Sequence, residues 1–346
     1  MCGDLKASEP FITQWQSPSN IALVKYWGKK GFQLPSNASI SFTLDACHTT
    51  TRLAATPGDL HLSIRVNGKE QPSFLPKIEQ FFKHISELFP ALKNFNYSID
   101  TSNTFPHSSG IASSASGMSA LALCVVDLLA DLNEESFSPE LASNLARIGS
   151  GSACRSVYGG LAEWGKHANF TGSSDEYAIP FTGYDEVFNS FHDDILIVHE
   201  GSKSVSSTVG HSLLNGHAFA TQRFEEAEKN MSRMKAILHS GDLDDFVDLV
   251  EREALMLHAL MMTSTPSFIL MKPETVAIID AIRADRIEKG HHICFTLDAG
   301  ANVHMLYPEK DAHYANELIT SKLVDYCENG RYIRDRIGRG PKRIHA

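Results

Sequence analysis

The sequence has no long hydrophobic run and no patterned cysteines. The most apolar stretch, 120–130, is interrupted by Asp127 and is far shorter than the roughly 20 residues that cross a bilayer. The six cysteines are scattered without a C-x-x-C pair, which argues against a zinc site and a disulfide scaffold. The first residues, Met1 to Asp4, carry no secretion signal and no glycine at position 2 for myristoylation. We therefore expect a soluble cytoplasmic protein without a membrane partner.

Positive charge is also scarce. The chain has 31 Lys and Arg against 41 Asp and Glu, a formal net charge of −10. A negative field of this size argues against a general binder of nucleic acid or of anionic membranes. An anionic small molecule would need cations concentrated at one place. With 42% hydrophobic and 21% charged residues, the composition is that of a globular protein, and 346 residues suffice for one large or two ordinary domains.

Patterns of strands and helices alternate along the chain and predict an α+β fold of two lobes. In the first lobe the patterns indicate strands at 20–27, 39–44, 49–55, 61–66 and 95–100 and helices at 76–88, 114–131 and 139–148. In the second lobe they indicate strands from Asp193 and at 293–297 and 303–307, and helices at 219–239, 243–260, 273–289 and 311–325. The Ser/Asp/Gly-rich stretch 171–192 predicts the boundary, so we divide the chain into lobes 1–190 and 191–346.

The segment 105–118 is rich in glycine and serine and runs directly into an apolar helix pattern. Small residues let a backbone approach a ligand closely, and a helix start offers free N–H groups, so the segment predicts a phosphate site. A loop packed tightly beside a helix is the other interpretation, because neither a Walker A nor a G-x-G-x-x-G pattern is present. The candidate nucleotide-binding residues are Ser108, Ser109, Gly110, Ala112, Ser113, Ser114 and Gly117.

Three further motifs place charged residues beside small or apolar ones. The run 149–155 puts Arg155 among glycines and serines, where its guanidinium could clamp a carboxylate or a phosphate. Lys25 follows an apolar strand pattern and precedes two aromatic residues, which favours a half-buried lysine. Asp298 stands at the end of another apolar strand pattern, before a turn. It is either a turn residue or a catalytic carboxylate.

In this order, the four motifs resemble the diphosphomevalonate decarboxylase family of the GHMP kinase superfamily. The family's patterns N-I-A-x-x-K-Y-W-G-K, F-P-x-x-x-G-L-A-S-S-A-x-G, G-S-G-S-A-C-R-S and D-A-G-x-N match at 20–29, 105–117, 149–156 and 298–302. Weaker matches fall at 206–210 and 332–341. The resemblance implies a GHMP kinase-like fold, with a ribosomal protein S5 domain 2-like first lobe and a ferredoxin-like second lobe. It also implies that part of the basic end 331–346 is an ordered strand.

The resemblance implies roles for individual residues. Asp298 matches the catalytic aspartate that takes the proton from a tertiary 3-hydroxyl, Lys25 the lysine beside it, and Arg155 the arginine that orients the substrate carboxylate. Ser114 matches the serine that reaches the phosphates of ATP. The implied substrate site consists of Tyr26, Trp27, Gly28, Lys29, Lys69, Ser150, Gly151, Ser152, Ala153, Cys154, Arg155 and Thr208.

The reaction implied by the resemblance is the ATP-dependent decarboxylation of mevalonate 5-diphosphate to isopentenyl diphosphate, a step of isoprenoid biosynthesis. ATP phosphorylates the 3-hydroxyl, the new phosphate leaves, and departure of CO2 supplies the electrons for a double bond. We expect Mg2+ to arrive with ATP and to need no dedicated protein cage. The family also leads us to expect a homodimer.

The sequence departs from the family's pattern in places that concern the ligands. Lys69 stands where arginine is frequent, and His211 follows Gly210 where methionine is frequent, so a monophosphate substrate stays open. The nucleotide loop has Ile111 for leucine and His-Ser-Ser at 107–109 for Thr-Ala-Ala. The alternatives are a phosphomevalonate decarboxylase or a mevalonate 3-kinase on the same scaffold, or a non-catalytic ligand-binding relative. The 16 histidines lack metal-ligand spacing, so we expect surface or packing roles for them.

Overall fold

The computed structural model describes residues 10–106, 111–201 and 207–344. Its strands form an eight-stranded sheet, a four-stranded sheet and a two-stranded one. The strands are β1 (Phe11–Val24), β2 (Lys29–Lys30), β3 (Leu34–Pro35), β4 (Ser39–Pro57), β5 (Leu62–Val66), β6 (Lys69–Glu70), β7 (Phe95–Asn103), β8 (Leu161–Trp164), β9 (Ala178–Phe181), β10 (His192–Leu196), β11 (Cys294–Thr296), β12 (Val303–Tyr307), β13 (Tyr332–Arg336) and β14 (Lys342–Arg343).

Eight α-helices occur in the described ranges. They are α1 (Leu75–Leu88), α2 (Ser113–Asn133), α3 (Pro139–Gly149), α4 (Ser207–Ser212), α5 (Ala220–Ser240), α6 (Leu243–Met262), α7 (Pro273–Lys289) and α8 (Ala312–Ser321). Short 3-10 helices lie at Pro72–Phe74, Pro90–Asn94, Gly151–Val157, Glu186–Ser190, Glu309–Asp311, Leu323–Tyr326 and Glu328–Gly330.

The larger sheet is built mainly from the first half of the chain and is covered by helix α2. Its strands run in the order β14-β1-β4-β7-β5-β6, and β8 and β9 extend it from β4. The helix α2 is apolar on most sides because it lies in the middle of a core with Leu53, Tyr97 and Ile99 of the sheet. It is long and apolar enough to cross a membrane, but 78% of its most apolar window is buried inside the protein, as in a core helix.

Strand β4 takes part in two hydrophobic cores. Its first six residues are all buried, whereas its second half alternates between buried and half-buried positions. Phe42, in the first part, packs against Phe191 and Phe246 of the second half of the chain, with ring centroids 5.6 and 6.3 Å apart. Leu53, in the second part, belongs to the core beneath α2. One strand therefore ties the first-half core to the core shared with the second half.

The smaller sheet is antiparallel and runs in the order β11-β12-β10-β13. Helices α7 and α8 pack on it through a core that includes Ile282, Leu318, Phe295 and Met305. The chain then returns to the larger sheet. Gly338 N–H donates to the Thr43 carbonyl at 2.7 Å, and β14 pairs with β1. The basic end does contain ordered strands, as the resemblance implied.

Several elements differ from their predicted bounds. The predicted strands 39–44 and 49–55 are one strand, β4, and the predicted strand 20–27 ends at Val24. The predicted boundary stretch 171–192 contains β9, which pairs with β8 in the larger sheet. The predicted helix 311–325 is α8 followed by a separate 3-10 helix. The division at residue 190 stays a prediction.

Candidate active site

A cavity of about 430 Å³ brings together residues from both halves of the chain. Its lining contains four cationic side chains, Lys25, Lys29, Lys77 and Arg155, and one carboxylate, Asp298. Other lining residues used below are Asn20, Tyr26, Trp27, Ala112, Ser114, Ser150, Gly151, Ser152 and His211. The excess of positive charge here contrasts with the net charge of −10 of the whole chain. A cavity of this kind suits an anionic ligand.

Lys25 and Asp298 form an ion pair in the lining of the cavity. Lys25 is the first residue after β1, and Asp298 follows β11 in a turn closed by the Gly300 N–H, which donates to the Asp298 carbonyl at 2.7 Å. Lys25 Nζ lies 3.6 Å from Asp298 Oδ1. Burial lowers the pKa of Lys25, and the charge of Asp298 opposes that shift. The Lys25 ammonium has no hydrogen-bond acceptor among the described residues, so it is available to a ligand.

The backbone of Lys25 is held by a buried ion pair from the second half of the chain. Its N–H donates to Glu253 Oε2 at 2.8 Å, and its carbonyl accepts from Arg223 Nη2 at 3.1 Å. Arg223 and Glu253 contact each other at 2.7 Å, and both side chains are almost fully buried. Asn230 donates to the other Glu253 oxygen at 2.6 Å. We call this arrangement the Lys25 clamp.

Arg155 is buried and oriented by three polar side chains. It lies in the 3-10 helix Gly151–Val157 with 2% of its surface exposed. Its Nε donates to Ser41 Oγ at 3.0 Å, its Nη1 to Ser39 Oγ at 2.6 Å, and its Nη2 to Asn20 Oδ1 at 3.2 Å. A guanidinium has five N–H groups. These contacts leave one N–H on each terminal nitrogen without an acceptor among the described residues, a pair that can bind a carboxylate.

The start of helix α2 forms another wall of the cavity. Ala112, just before the helix, has a φ of 45° and lines the cavity together with Ser114 in the first turn. The Ser114 hydroxyl is exposed and lies 3.4 Å from the Ser150 hydroxyl. Helix starts attract anions because their first N–H groups have no partner within the helix. This wall therefore suits phosphate groups.

The residues after Lys25 stack on a histidine from helix α4. His211 packs against Tyr26 and Trp27, whose ring centroids lie 4.5 and 4.4 Å away at tilts of 37° and 32°. The Gly28 N–H donates to His211 Nδ1 at 2.9 Å. Gly28 has a φ of 97°, and a Cβ there would lie 2.8 Å from the Phe224 ring, so only glycine fits. Burial, followed by the charge of Lys29, lowers the pKa of His211 to about 3.

Known families and proteins match the chain along most of its length. Residues 17–178 match the diphosphomevalonate decarboxylase-like N-terminal domain, and residues 194–338 match the mevalonate 5-diphosphate decarboxylase C-terminal domain. Diphosphomevalonate decarboxylase of Aspergillus fumigatus is 30% identical over 328 residues, which are 89% of this chain and 79% of that protein. The Danio rerio enzyme of the same name is 32% identical over 314 residues, 85% of this chain and 75% of that protein.

Solved structures agree with these matches. Mevalonate diphosphate decarboxylase from Staphylococcus aureus has a TM-score of 0.86 at 30% identity, covering 97% of this chain and 99% of that one. MDDEF in complex with MVAPP, AMPPCP and magnesium has a TM-score of 0.85 at 28% identity, covering 98% of this chain and 100% of that one. The chain belongs to the diphosphomevalonate decarboxylase family. The predicted α+β, GHMP kinase-like fold is confirmed.

In this decarboxylase the predicted site residues fall into three groups. Those that line the cavity are Lys25, Tyr26, Trp27, Lys29, Ala112, Ser114, Ser150, Gly151, Ser152, Arg155 and Asp298. Gly28, Ala153, Cys154, Ser113 and Gly117 lie in adjoining backbone; Ala153 and Cys154 are fully buried in it. Ser108, Ser109 and Gly110 lie outside the described residues, and Thr208 is placed in α4 without a described side chain. The binding roles of all these residues stay predictions.

Lys69 belongs to none of these three groups: among the predicted residues whose side chains the structure describes, it is the one placed away from the cavity. Its side chain is exposed on β6, a two-residue strand at the edge of the larger sheet. Lys77 of α1 lines the cavity instead. Desolvation of the ammonium inside the cavity, followed by the like charge of Lys29, lowers the pKa of Lys77 to about 8. The residue as a whole is nevertheless exposed. Sequence reasoning missed Lys77 because it reads as the solvent side of an amphipathic helix.

For His211 the sequence predicts a surface or packing role in place of metal binding, and the structure places it buried against Tyr26 and Trp27 in the lining of the cavity. Its position after Gly210, in a segment matched to the family, was the available signal. Among the described residues, no three or more His, Cys, Asp and Glu side chains are grouped so as to hold a metal ion.

Proposed function

We propose that the protein catalyses the ATP-dependent decarboxylation of mevalonate 5-diphosphate to isopentenyl diphosphate, releasing ADP, phosphate and CO2. The observation that carries this proposal is the convergence of Asp298, Lys25 and Arg155 in one cavity whose opposite wall is the start of helix α2. Family membership supplies the substrate class. The geometry supplies a carboxylate, two cations and an anion-binding helix start within a single space.

Each group has a task in the reaction. The oxygen of the tertiary 3-hydroxyl attacks the γ-phosphorus of ATP while Asp298 accepts the hydroxyl proton, and ADP leaves. Lys25 stabilises negative charge on the transferred phosphoryl group, since its ammonium is buried and has no other acceptor in the described chain. The C3–O bond then breaks and inorganic phosphate leaves. Arg155 orients the substrate carboxylate. The bond between that carboxylate and the neighbouring carbon then breaks, and the electron pair of this bond forms the double bond as CO2 departs.

The diphosphate of the substrate would lie near Lys29 and Lys77. Both lysines line the cavity, and desolvation, followed by repulsion from Lys29, lowers the pKa of Lys77. A bound phosphate relieves repulsion between neighbouring cations. We infer that the phosphate end of the substrate lies near Lys29, Lys77 and His211, and its reacting end beside Lys25 and Asp298.

ATP would bind at the helix α2 wall, with Ser114 donating to a phosphate oxygen. Because the described residues offer no group of three metal ligands, Mg2+ fits here as an ion carried by the nucleotide phosphates. When bound, it neutralises charge on those phosphates. MDDEF was crystallised with an ATP analogue and magnesium, which supports the same pair of ligands for this chain.

The decisive experiment measures phosphate and CO2 release by the purified protein with ATP and Mg2+. Mevalonate 5-diphosphate, mevalonate 5-phosphate and mevalonate are supplied separately. We expect phosphate and CO2 in equal amounts from the diphosphate. Preference for the monophosphate would indicate a phosphomevalonate decarboxylase, and ADP formation without CO2 a 3-kinase. No turnover with any of the three would support a non-catalytic relative. A cytoplasmic location and a homodimer belong to the same proposal.

A further inference from the structure

His211 occupies a fixed position beside the proposed phosphate end of the substrate. The ring packs against both Tyr26 and Trp27, and only 8% of the residue is exposed. Gly210 packs so closely on Trp27 that a Cβ would lie 2.7 Å from Cζ2, so the backbone of α4 cannot retreat without breaking this contact. The imidazole therefore has little freedom to turn within the cavity wall.

The contact with Gly28 determines which nitrogen of His211 carries the proton. A backbone N–H can only donate, so His211 Nδ1 accepts the 2.9 Å hydrogen bond with its lone pair. The neutral ring then carries its proton on Nε2. Burial and the nearby Lys29 both disfavour a second proton, so the ring stays neutral throughout the physiological range. Nε2–H is thus a permanent donor, and it has no acceptor among the described residues.

Three donors then line the cavity, namely Lys29, Lys77 and His211. The two lysines are point charges on flexible stems, whereas the imidazole N–H is held in one direction. A phosphate offers several acceptor oxygens, and a directed donor selects one arrangement of them. Methionine, which is frequent at this position in the family, could neither accept from Gly28 nor donate to a ligand.

We propose that His211 is a specificity-determining residue of this enzyme: its Nε2–H donates a hydrogen bond to a phosphate oxygen of mevalonate 5-diphosphate while Gly28 holds the opposite side of the ring. The proposal rests on the proposed function, because it takes the substrate from there. It assigns His211 to binding and leaves proton transfer to Asp298. The competing role is purely positional, in which His211 only holds Gly28 and the loop that follows Lys25.

Two substitutions separate the two roles. In His211→Asn an amide oxygen can reach the Nδ1 position and accept from Gly28, but no donor reaches the Nε2 position. In His211→Gln an amide N–H reaches the Nε2 position, and the acceptor for Gly28 is lost. Both variants lose the stacked ring to the same extent. His61→Asn, an exposed histidine on the far edge of the larger sheet, is the matched control.

The dissociation constant of mevalonate 5-diphosphate is measured by calorimetry without nucleotide, together with that of ADP and the melting temperature. We expect His211→Asn to weaken mevalonate 5-diphosphate binding about tenfold or more, the size of one hydrogen bond to a charged group. His211→Gln should stay within about threefold of the wild type on the same scale, and ADP binding should be unchanged in both.

Wild-type affinity in both variants would overturn the proposal, as would equal weakening in both. Weakening by His211→Gln alone would establish the positional role and overturn the proposal as well. Failure of the proposed function looks different, because the wild-type protein itself would then neither bind mevalonate 5-diphosphate nor release CO2 from it.

Discussion

Lys25 Nζ lies 3.6 Å from Asp298 Oδ1, yet the lysine side chain is 2% exposed and the aspartate side chain 27%. The pair is therefore asymmetric. The ammonium is enclosed by protein and lacks an acceptor in the described ranges, while the carboxylate can reach a ligand or water. Desolvation destabilises a buried charge, and a partner at this distance offsets only part of that cost. Such an arrangement suits a cation that acts when a phosphoryl group arrives.

Asp298→Asn tests the carboxylate directly. The substitution is nearly isosteric, so folding and ADP binding should be preserved. Turnover should fall by about 10²–10⁴-fold, the range for a lost general base, and phosphorylation and CO2 release should fall together. Steady-state release of both products checks this. If Asp298 were only a turn residue, asparagine would serve equally well, and more than about a tenth of the activity would remain.

Lys25→Met should separate stability from activity. Methionine keeps the length of the side chain and removes a buried charge, while Asp298 can be solvated. We expect turnover to fall at least about 100-fold and the melting temperature at pH 7 to stay equal or rise.

The pH dependence of the Lys25→Met effect has a definite sign. Because the folded-state pKa of Lys25 is lowered, the unfolded chain holds this proton more tightly. Wild-type stability therefore rises with pH between the lowered pKa and 10.5, and the advantage of the variant should shrink there. A marked loss of stability at pH 7 would contradict the view of Lys25 as a destabilising charge.

Arg155→Lys keeps the charge and removes the planar fork. Lysine cannot reproduce the simultaneous contacts to Ser41, Ser39 and Asn20 that orient the guanidinium. Turnover should fall by about 10–100-fold, because a carboxylate misplaced by an ångström departs less readily as CO2. The affinity for ADP serves as the internal control. Unchanged turnover would mean that the arginine supplies charge alone.

Ser114→Ala probes the helix α2 wall. Removal of the exposed hydroxyl should raise KM for ATP about tenfold, as expected for one hydrogen bond to a phosphate oxygen. The affinity for mevalonate 5-diphosphate without nucleotide should not change. Calorimetry with each ligand separates the two effects, and equal weakening of both would remove Ser114 from a nucleotide-specific role.

Glu163→Gln should reveal a buried protonated carboxyl group. Glu163 on β8 is 0% exposed, neither of its oxygens has a partner in the described chain, and burial raises its pKa to about 9. Since the folded protein keeps this proton while the unfolded chain releases it, wild-type stability should fall as pH rises from 4.5 to about 9.

The advantage of Glu163→Gln should therefore grow by about 1 kcal/mol per pH unit across this window. Urea unfolding at pH 5, 6, 7 and 8 measures it, with the exposed Glu79→Gln as matched control. A difference that is constant with pH would show that Glu163 is ionised in the folded protein.

The sequence predicted what depends on local pattern. Long helices such as α5 and α6 follow from apolar periodicity and differ from their predicted bounds by only a few residues. The pairing of Lys25 with Asp298 came from the family resemblance, because no local pattern specifies a contact between residues so far apart. Lys77 escaped notice for the same reason, since its role depends on where α1 lies relative to the cavity.

The merging of two predicted strands into β4 also has a long-range cause. The residues between them, 45–48, have no continuous apolar pattern. The backbone N–H groups of 45–47 donate to the Asp335 carboxylate at 2.7–2.8 Å, across about 290 positions of sequence. The Asp335 side chain, near the end of the chain, thus supplies hydrogen-bond acceptors for the middle of β4. The local sequence around 45–47 gives no indication that Asp335 is its partner.

The Lys25 clamp has a consequence for the folding of this enzyme and for the loss of its activity. Lys25 and Glu253 are 228 positions apart, so the proposed catalytic lysine gains this support only when both halves have docked, whereas Asn37 of the first half holds its carbonyl at 3.0 Å. Because the cavity takes its lining from both halves, we expect neither half alone to catalyse the reaction. Any loss of docking between the halves should therefore abolish activity, so enzymatic activity is a reporter of that docking.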